Sequence, residues 1–122
     1  MNLRIPLAVG ALIVALPAFA HEVAKGPHGG RVVETSEYHV ELVARDTLVE
    51  VFLTDASDKP VAPAAFKGVA ILVIGGKSAR VALEPTDYTK LSGKSAVAVP
   101  AEPKGVVQIT APGGKTTQAK FN

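Results

Sequence analysis

From Arg31 to the C-terminus the chain is cut into short β-prone runs by turn residues at close intervals, and this spacing most limits what it can become. Val, Ile, Leu and Thr fill the runs, while Gly, Pro, Asp and Ser fill the gaps, the pattern of an all-β sandwich or barrel with no convincing helix. The expected strands are Arg31–Thr35, Tyr38–Arg45, Thr47–Thr54, Val69–Ile74, Ser78–Leu83, Ser95–Val99, Gly105–Ala111 and Thr116–Phe121. Seven to eight strands in roughly 90 residues suit a small antiparallel β-sandwich.

The turns support this reading. Gly75-Gly76-Lys77 and Pro112-Gly113-Gly114-Lys115 place residues that accept positive φ between β-prone runs, so both predict hairpins. Pro60 and Pro63 demote Val61–Phe66 to an edge or a connection. Val69–Ile74 is apolar at every position, which predicts a strand buried on both faces or covered by a loop, at the centre of the core.

The N-terminus reads differently. Arg4 is followed by an apolar run from Ile5 to Leu16, and Ala18-Phe19-Ala20 has the small-x-small form accepted by signal peptidase. The run is too short to span a bilayer. Residues 1–20 are therefore expected to be a cleaved signal peptide, 21–30 a histidine-containing segment, and 31–122 one β domain. An exported, periplasmic protein follows, without membrane insertion of the mature chain. The chain has no Cys, so neither disulfides nor a lipoprotein-type thioether anchor are available. The single Met is Met1 and leaves with the signal, which closes soft-metal chemistry based on sulfur.

Charge excludes another class of partner. The chain has 13 Lys and Arg, one of them Arg4 in the signal, against 11 Asp and Glu, and the basic residues are scattered singly. Near-balance of this kind argues against nucleic acid. The few aromatics give no platform for stacking sugars or bases.

In the Tyr38–Leu53 hairpin, Tyr38, Val40, Leu42 and Ala44 share one face with Val49, Val51 and Leu53, which predicts the inward set. With a two-residue loop at Arg45-Asp46, His39 would face Phe52 and Glu41 would face Glu50 on the outer surface. Opposed carboxylates cost roughly 0.2–1 kcal/mol unless something positive lies between them. Arg31, Lys25 or a metal ion could do so, and so could an ordinary salt bridge on a solvated face.

All three histidines, His21, His28 and His39, lie near the start of the expected mature chain. Cleavage after Ala20 would make His21 the first residue, offering its α-amine and imidazole to a single ion. Cu(II) gains most from such nitrogen ligands, with Ni(II), Co(II) and Zn(II) as alternatives. His28, in a Gly-Pro-His-Gly-Gly turn, could add a nitrogen, and His39 another. Glu22, Glu41 or Glu50 could complete the shell or orient an imidazole from outside it. The spacing matches no established zinc pattern.

Gly26-Pro27-His28-Gly29-Gly30-Arg31-Val32-Val33-Glu34, followed by Tyr38-His39-Val40-Glu41-Leu42-Val43, resembles small exported proteins, and N-terminal extensions of efflux adaptors, associated with heavy-metal resistance in Gram-negative bacteria. Lys90-Leu91-Ser92-Gly93-Lys94 and Pro112–Phe121 fit the same pattern. The resemblance implies a periplasmic place and a metal context. A looser resemblance, through His21 alone, is to periplasmic copper-resistance β-sandwiches whose mature chain begins with a Cu(II)-binding histidine.

Three functions follow from these features. The first is a periplasmic divalent-metal-binding protein that buffers the ion or delivers it to an efflux or resistance system. A second is a non-catalytic interaction module docking on an efflux adaptor or another envelope protein, through the Pro60–Phe66 edge or the C-terminal hairpin. The third, an enzyme in the form of a terminal-histidine copper oxygenase, is disfavoured: the chain is short with few aromatics for a substrate surface, there is no Cys, and no serine stands in a Gly-x-Ser-x-Gly context.

Overall fold

In the computed structural model, which describes residues 24–122, the chain is all-β. Its strands are β1 (Ala24–Lys25), β2 (Arg31–Glu34), β3 (His39–Arg45), β4 (Leu48–Thr54), β5 (Lys67–Ile74), β6 (Lys77–Pro85), β7 (Leu91–Lys94), β8 (Lys104–Thr110) and β9 (Thr116–Phe121). They form one antiparallel sheet in the order β1-β2-β3-β4-β7-β6-β5-β8-β9, curled into a half-barrel. The two separate layers of a sandwich are thus replaced by one continuous sheet. The join is β6, which pairs with β5 up to Leu83 and with β7 at Glu84 and Pro85.

The inner face of the curl holds the core. Val40, Leu42, Val49, Val51 and Leu53 on one side meet Ala70, Leu72, Val107, Ile109 and Phe121 on the other, all buried. This is the inward set that the two-residue periodicity of β3 and β4 predicts. Arg31 also lies on this side, in line with Leu42. Its guanidinium donates to the carbonyls of Pro103 (2.9 Å) and Asn122 (2.6 Å), tying β2 to the far end of the sheet. Arg31 is therefore not placed between the two glutamates.

Three local expectations change. The β3–β4 loop is Asp46-Thr47, with Asp46 at φ 54°, a conformation that Asp tolerates. The register moves with it: Glu41 opposes Phe52, Glu50 opposes Val43 and His39 opposes Thr54, so the two glutamates do not face each other. Because the inward and outward sets are preserved by this shift, the core is unaffected.

The strand expected at Ser95–Val99 is instead Leu91–Lys94. Leu91 is fully buried between β4 and β6, whereas the 95–99 segment bonds to the β3–β4 loop, Ser95 N–H to the Thr47 carbonyl and Val99 N–H to that of Asp46. Finally, β5 is buried on one face only. Ala70 and Leu72 are fully covered, while Val73, on the other face, is 50% exposed.

The turns follow their residues. Gly75 and Gly76 both take positive φ in the β5–β6 hairpin, and Val61–Phe66 is a connection that sends Phe66 into the core. Within the expected histidine-containing segment 21–30, Ala24 and Lys25 join the sheet as β1. Ala24 pairs with Val32 and Lys25 with Arg31, so the Gly-Pro-His-Gly-Gly stretch is the loop of the first hairpin.

Candidate functional site: a histidine held by a buried glutamate

The outer face of β2, β3 and β4 carries two adjoining rows of side chains. One is Val32, Glu41 and Phe52; the next is Glu34, His39 and Thr54. The β1–β2 loop folds across the first row. Gly26 N–H donates to the Gly30 carbonyl (2.8 Å) and Gly29 N–H to that of Gly26 (3.0 Å), with Gly29 at φ 81°. This bend lays the His28 ring flat on Phe52, with centroids 3.6 Å apart and planes 6° from parallel.

Glu41 holds the loop in place. Its Oε2 accepts the backbone N–H groups of His28 and Gly30, both at 2.9 Å, and its Oε1 lies 2.7 Å from His28 Nδ1. The residue is 4% exposed although it stands on the outer face of the sheet, because the loop covers it. A buried carboxylate needs such partners, and here it has three.

The fit explains the glycines. A Cβ on Gly26 would overlap the Glu41 carboxyl group, and one on Gly30 would overlap the Leu42 carbonyl oxygen.

Chemical polarity follows from this geometry. An ionised carboxylate only accepts, so with Glu41 ionised and His28 neutral the ring proton belongs on Nδ1 and the lone pair on Nε2. The ring is about half exposed, at 45% of the side chain. Metal-binding histidines have this arrangement, with one ring nitrogen held by a carboxylate and the other directed to the ion.

His39 lies on the same cleft, a cavity of about 400 Å³ floored by Phe52. Its Nε2 is 3.2 Å from Glu34 Oε1 and its Nδ1 is 3.0 Å from Asp58 Oδ1. Both carboxylates are well exposed, so these contacts are open to exchange. Asp58 comes from the loop after β4, where it adopts φ 61°.

The remaining candidates separate. Glu50 is buried between β3 and β7 and forms an ion pair with Lys90, outside the cleft. Its hydrogen bond to Lys90 raises the lysine above the ordinary range. His21 and Glu22 lie outside the described residues. The sequence reading did not single out Glu34 or Asp58. The Glu34 signal was present, since the four residues between Glu34 and His39 permit a hairpin; Asp58 reaches the cleft only through the fold.

Among the described residues no three His, Asp or Glu side chains converge at metal-holding spacing. Comparison with protein-family models, curated proteins and solved structures finds no match.

Proposed function

We propose that this is a periplasmic divalent-metal-binding protein, with Cu(II) the preferred ion, that buffers the metal or delivers it to an efflux system. The observation that carries the reading is the Glu41–His28 pair. A buried carboxylate holds Nδ1 of a half-exposed imidazole that lines a cleft, an arrangement that supports Nε2 as the atom offered to an ion. Glu41 acts as the positioning residue and His28 Nε2 as the ligand. His39 can join by exchanging one of its exposed carboxylate contacts for the ion, and Glu34 or Asp58 can supply an oxygen. His21, with a free terminal amine if the signal is cleaved after Ala20, supplies the further nitrogen donors that favour Cu(II) over harder ions. The sequence resemblance to heavy-metal-resistance proteins supports the same assignment.

The test is calorimetric titration of Cu(II), Ni(II), Co(II) and Zn(II) into protein purified after export, its N-terminus read by mass spectrometry. Binding should weaken at least tenfold in His28→Asn and roughly 10–100-fold in Glu41→Gln. Unchanged affinity in both variants would remove the site.

A further inference from the structure

The outer face of the opposite half of the sheet carries a second feature, independent of the histidine cleft. On a sheet face turned to solvent, outward positions are ordinarily polar. Here the outward positions of β5 after Lys67 at its start are Val69, Ile71 and Val73, and none is buried. Val106 on β8 stands directly beside Ile71 and extends the aliphatic stripe onto the next strand.

Cations surround this stripe. Arg80 on β6 is the other cross-strand neighbour of Ile71, Lys120 on β9 lies beyond Val106, and Lys104 is opposite Val73. All three are exposed, and none forms an ion pair among the described residues. The outward positions aligned with these residues contain no carboxylate; Glu84, at the far end of β6, is the first along that strand. In a chain whose charges nearly cancel, three unpaired cations around four aliphatic side chains make the patch locally basic, with Glu102 the nearest acidic side chain in sequence, two residues before Lys104.

We propose that this face docks an acidic protein surface with an aliphatic centre. The stripe supplies apolar contact and Arg80, Lys104 and Lys120 meet carboxylates at the rim, the division between centre and edge typical of protein interfaces. The patch contains neither Trp nor Tyr, the residues that anchor proteins at a lipid interface, so a protein partner fits better than a membrane.

The test is an NMR titration of the ¹⁵N-labelled protein with a synthetic peptide alternating glutamate and leucine, alongside a lysine–leucine control. Vesicles of phosphatidylglycerol and phosphatidylcholine are examined in parallel by co-sedimentation. Amide shifts should concentrate on β5, β6 and β8, and affinity should fall severalfold between 50 and 300 mM salt, an order-of-magnitude expectation from screening of exposed charge. The triple variant Arg80→Glu, Lys104→Glu, Lys120→Glu should lose about tenfold or more, and Ile71→Thr severalfold. Circular dichroism establishes that both variants are folded. Equal binding of the lysine peptide, binding to vesicles but not to the acidic peptide, or no binding to either would overturn the proposal. Copper titration of these variants should match that of the wild type, so this result and that for the histidine cleft stand apart.

Discussion

Removing the Glu41 carboxylate tests the logic of the loop. In Glu41→Ala the Gly30 N–H loses its acceptor in a buried position, at a cost of about 1–3 kcal/mol. The two bonds from His28 are only partly buried and reach water more readily, so they add roughly 1 kcal/mol each. The sum is about 3–5 kcal/mol, a large share of the roughly 5–15 kcal/mol of a small domain. At about 4–8 °C per kcal/mol for a chain of this size, the midpoint of thermal unfolding should fall by at least ~12 °C.

Glu41→Gln separates stability from site chemistry. One amide oxygen can still accept both backbone N–H groups, but the amide nitrogen then faces His28 Nδ1 and moves the ring proton to Nε2. Stability should fall by about 1 kcal/mol, while metal affinity falls with the lost lone pair. Urea unfolding of the wild type and both variants measures this directly. A Glu41→Ala cost below about 1 kcal/mol would refute the view that the carboxylate holds the loop.

Other outcomes follow from the same geometry. Gly26→Ala should displace the loop and reduce stability by about 1–3 kcal/mol, because its Cβ overlaps the Glu41 carboxyl group and lies 2.7 Å from Val32; the His28–Phe52 stacking should loosen in the NMR spectrum. Gly105→Ala should be more damaging, about 3 kcal/mol or more by urea unfolding, since φ is 147° and the new Cβ meets the Ile71 carbonyl. The Glu50 hydrogen bond raises Lys90 above the ordinary lysine value of 10.5. Its contribution is therefore fully present below that pH and is lost as pH rises through the raised value. The stability difference between wild type and Lys90→Met should narrow above pH 10.5 in alkaline unfolding scans. Cu(II) at a hundredfold excess over its dissociation constant should stabilise the wild type by about 2.7 kcal/mol in thermal unfolding, and a chelator should reverse this.

Much of the fold is legible in the sequence because strand periodicity is local. The inward set of β3 and β4 follows from alternation alone, and the Gly75-Gly76 hairpin from its residues. What alternation cannot provide is register. Moving the loop by one residue, to Asp46-Thr47, changes every cross-strand partner without moving any side chain to the other face. Ser95–Val99 alternates like a strand, but Leu91-Ser-Gly-Lys lies in the slot between β4 and β6, where Gly93 leaves no room for a Cβ beside the Ala82 carbonyl. The uniformly apolar β5 run suggested burial on both faces or cover by a loop, and only the curl of the sheet shows that one face is uncovered.

The candidate site divides in the same way. The histidines and Glu41 stand out by residue type, but the bond between His28 and Glu41 depends on a first hairpin whose leading strand is only Ala24–Lys25. Two residues carry too little pattern to announce a strand. Burial of Glu41 was equally hidden, since its strand places it on the outer face and another segment covers it.

The central claim is that Glu41 leaves His28 Nε2 free to take a metal ion. The most direct measurement is a multiple-bond ¹H–¹⁵N spectrum of the imidazole rings, recorded before and after substoichiometric Cu(II). A proton on Nδ1 of His28 is expected in the metal-free protein, with early paramagnetic loss of the His28 ring signals. A proton on Nε2, or His28 signals that persist at a full equivalent of Cu(II), would contradict it.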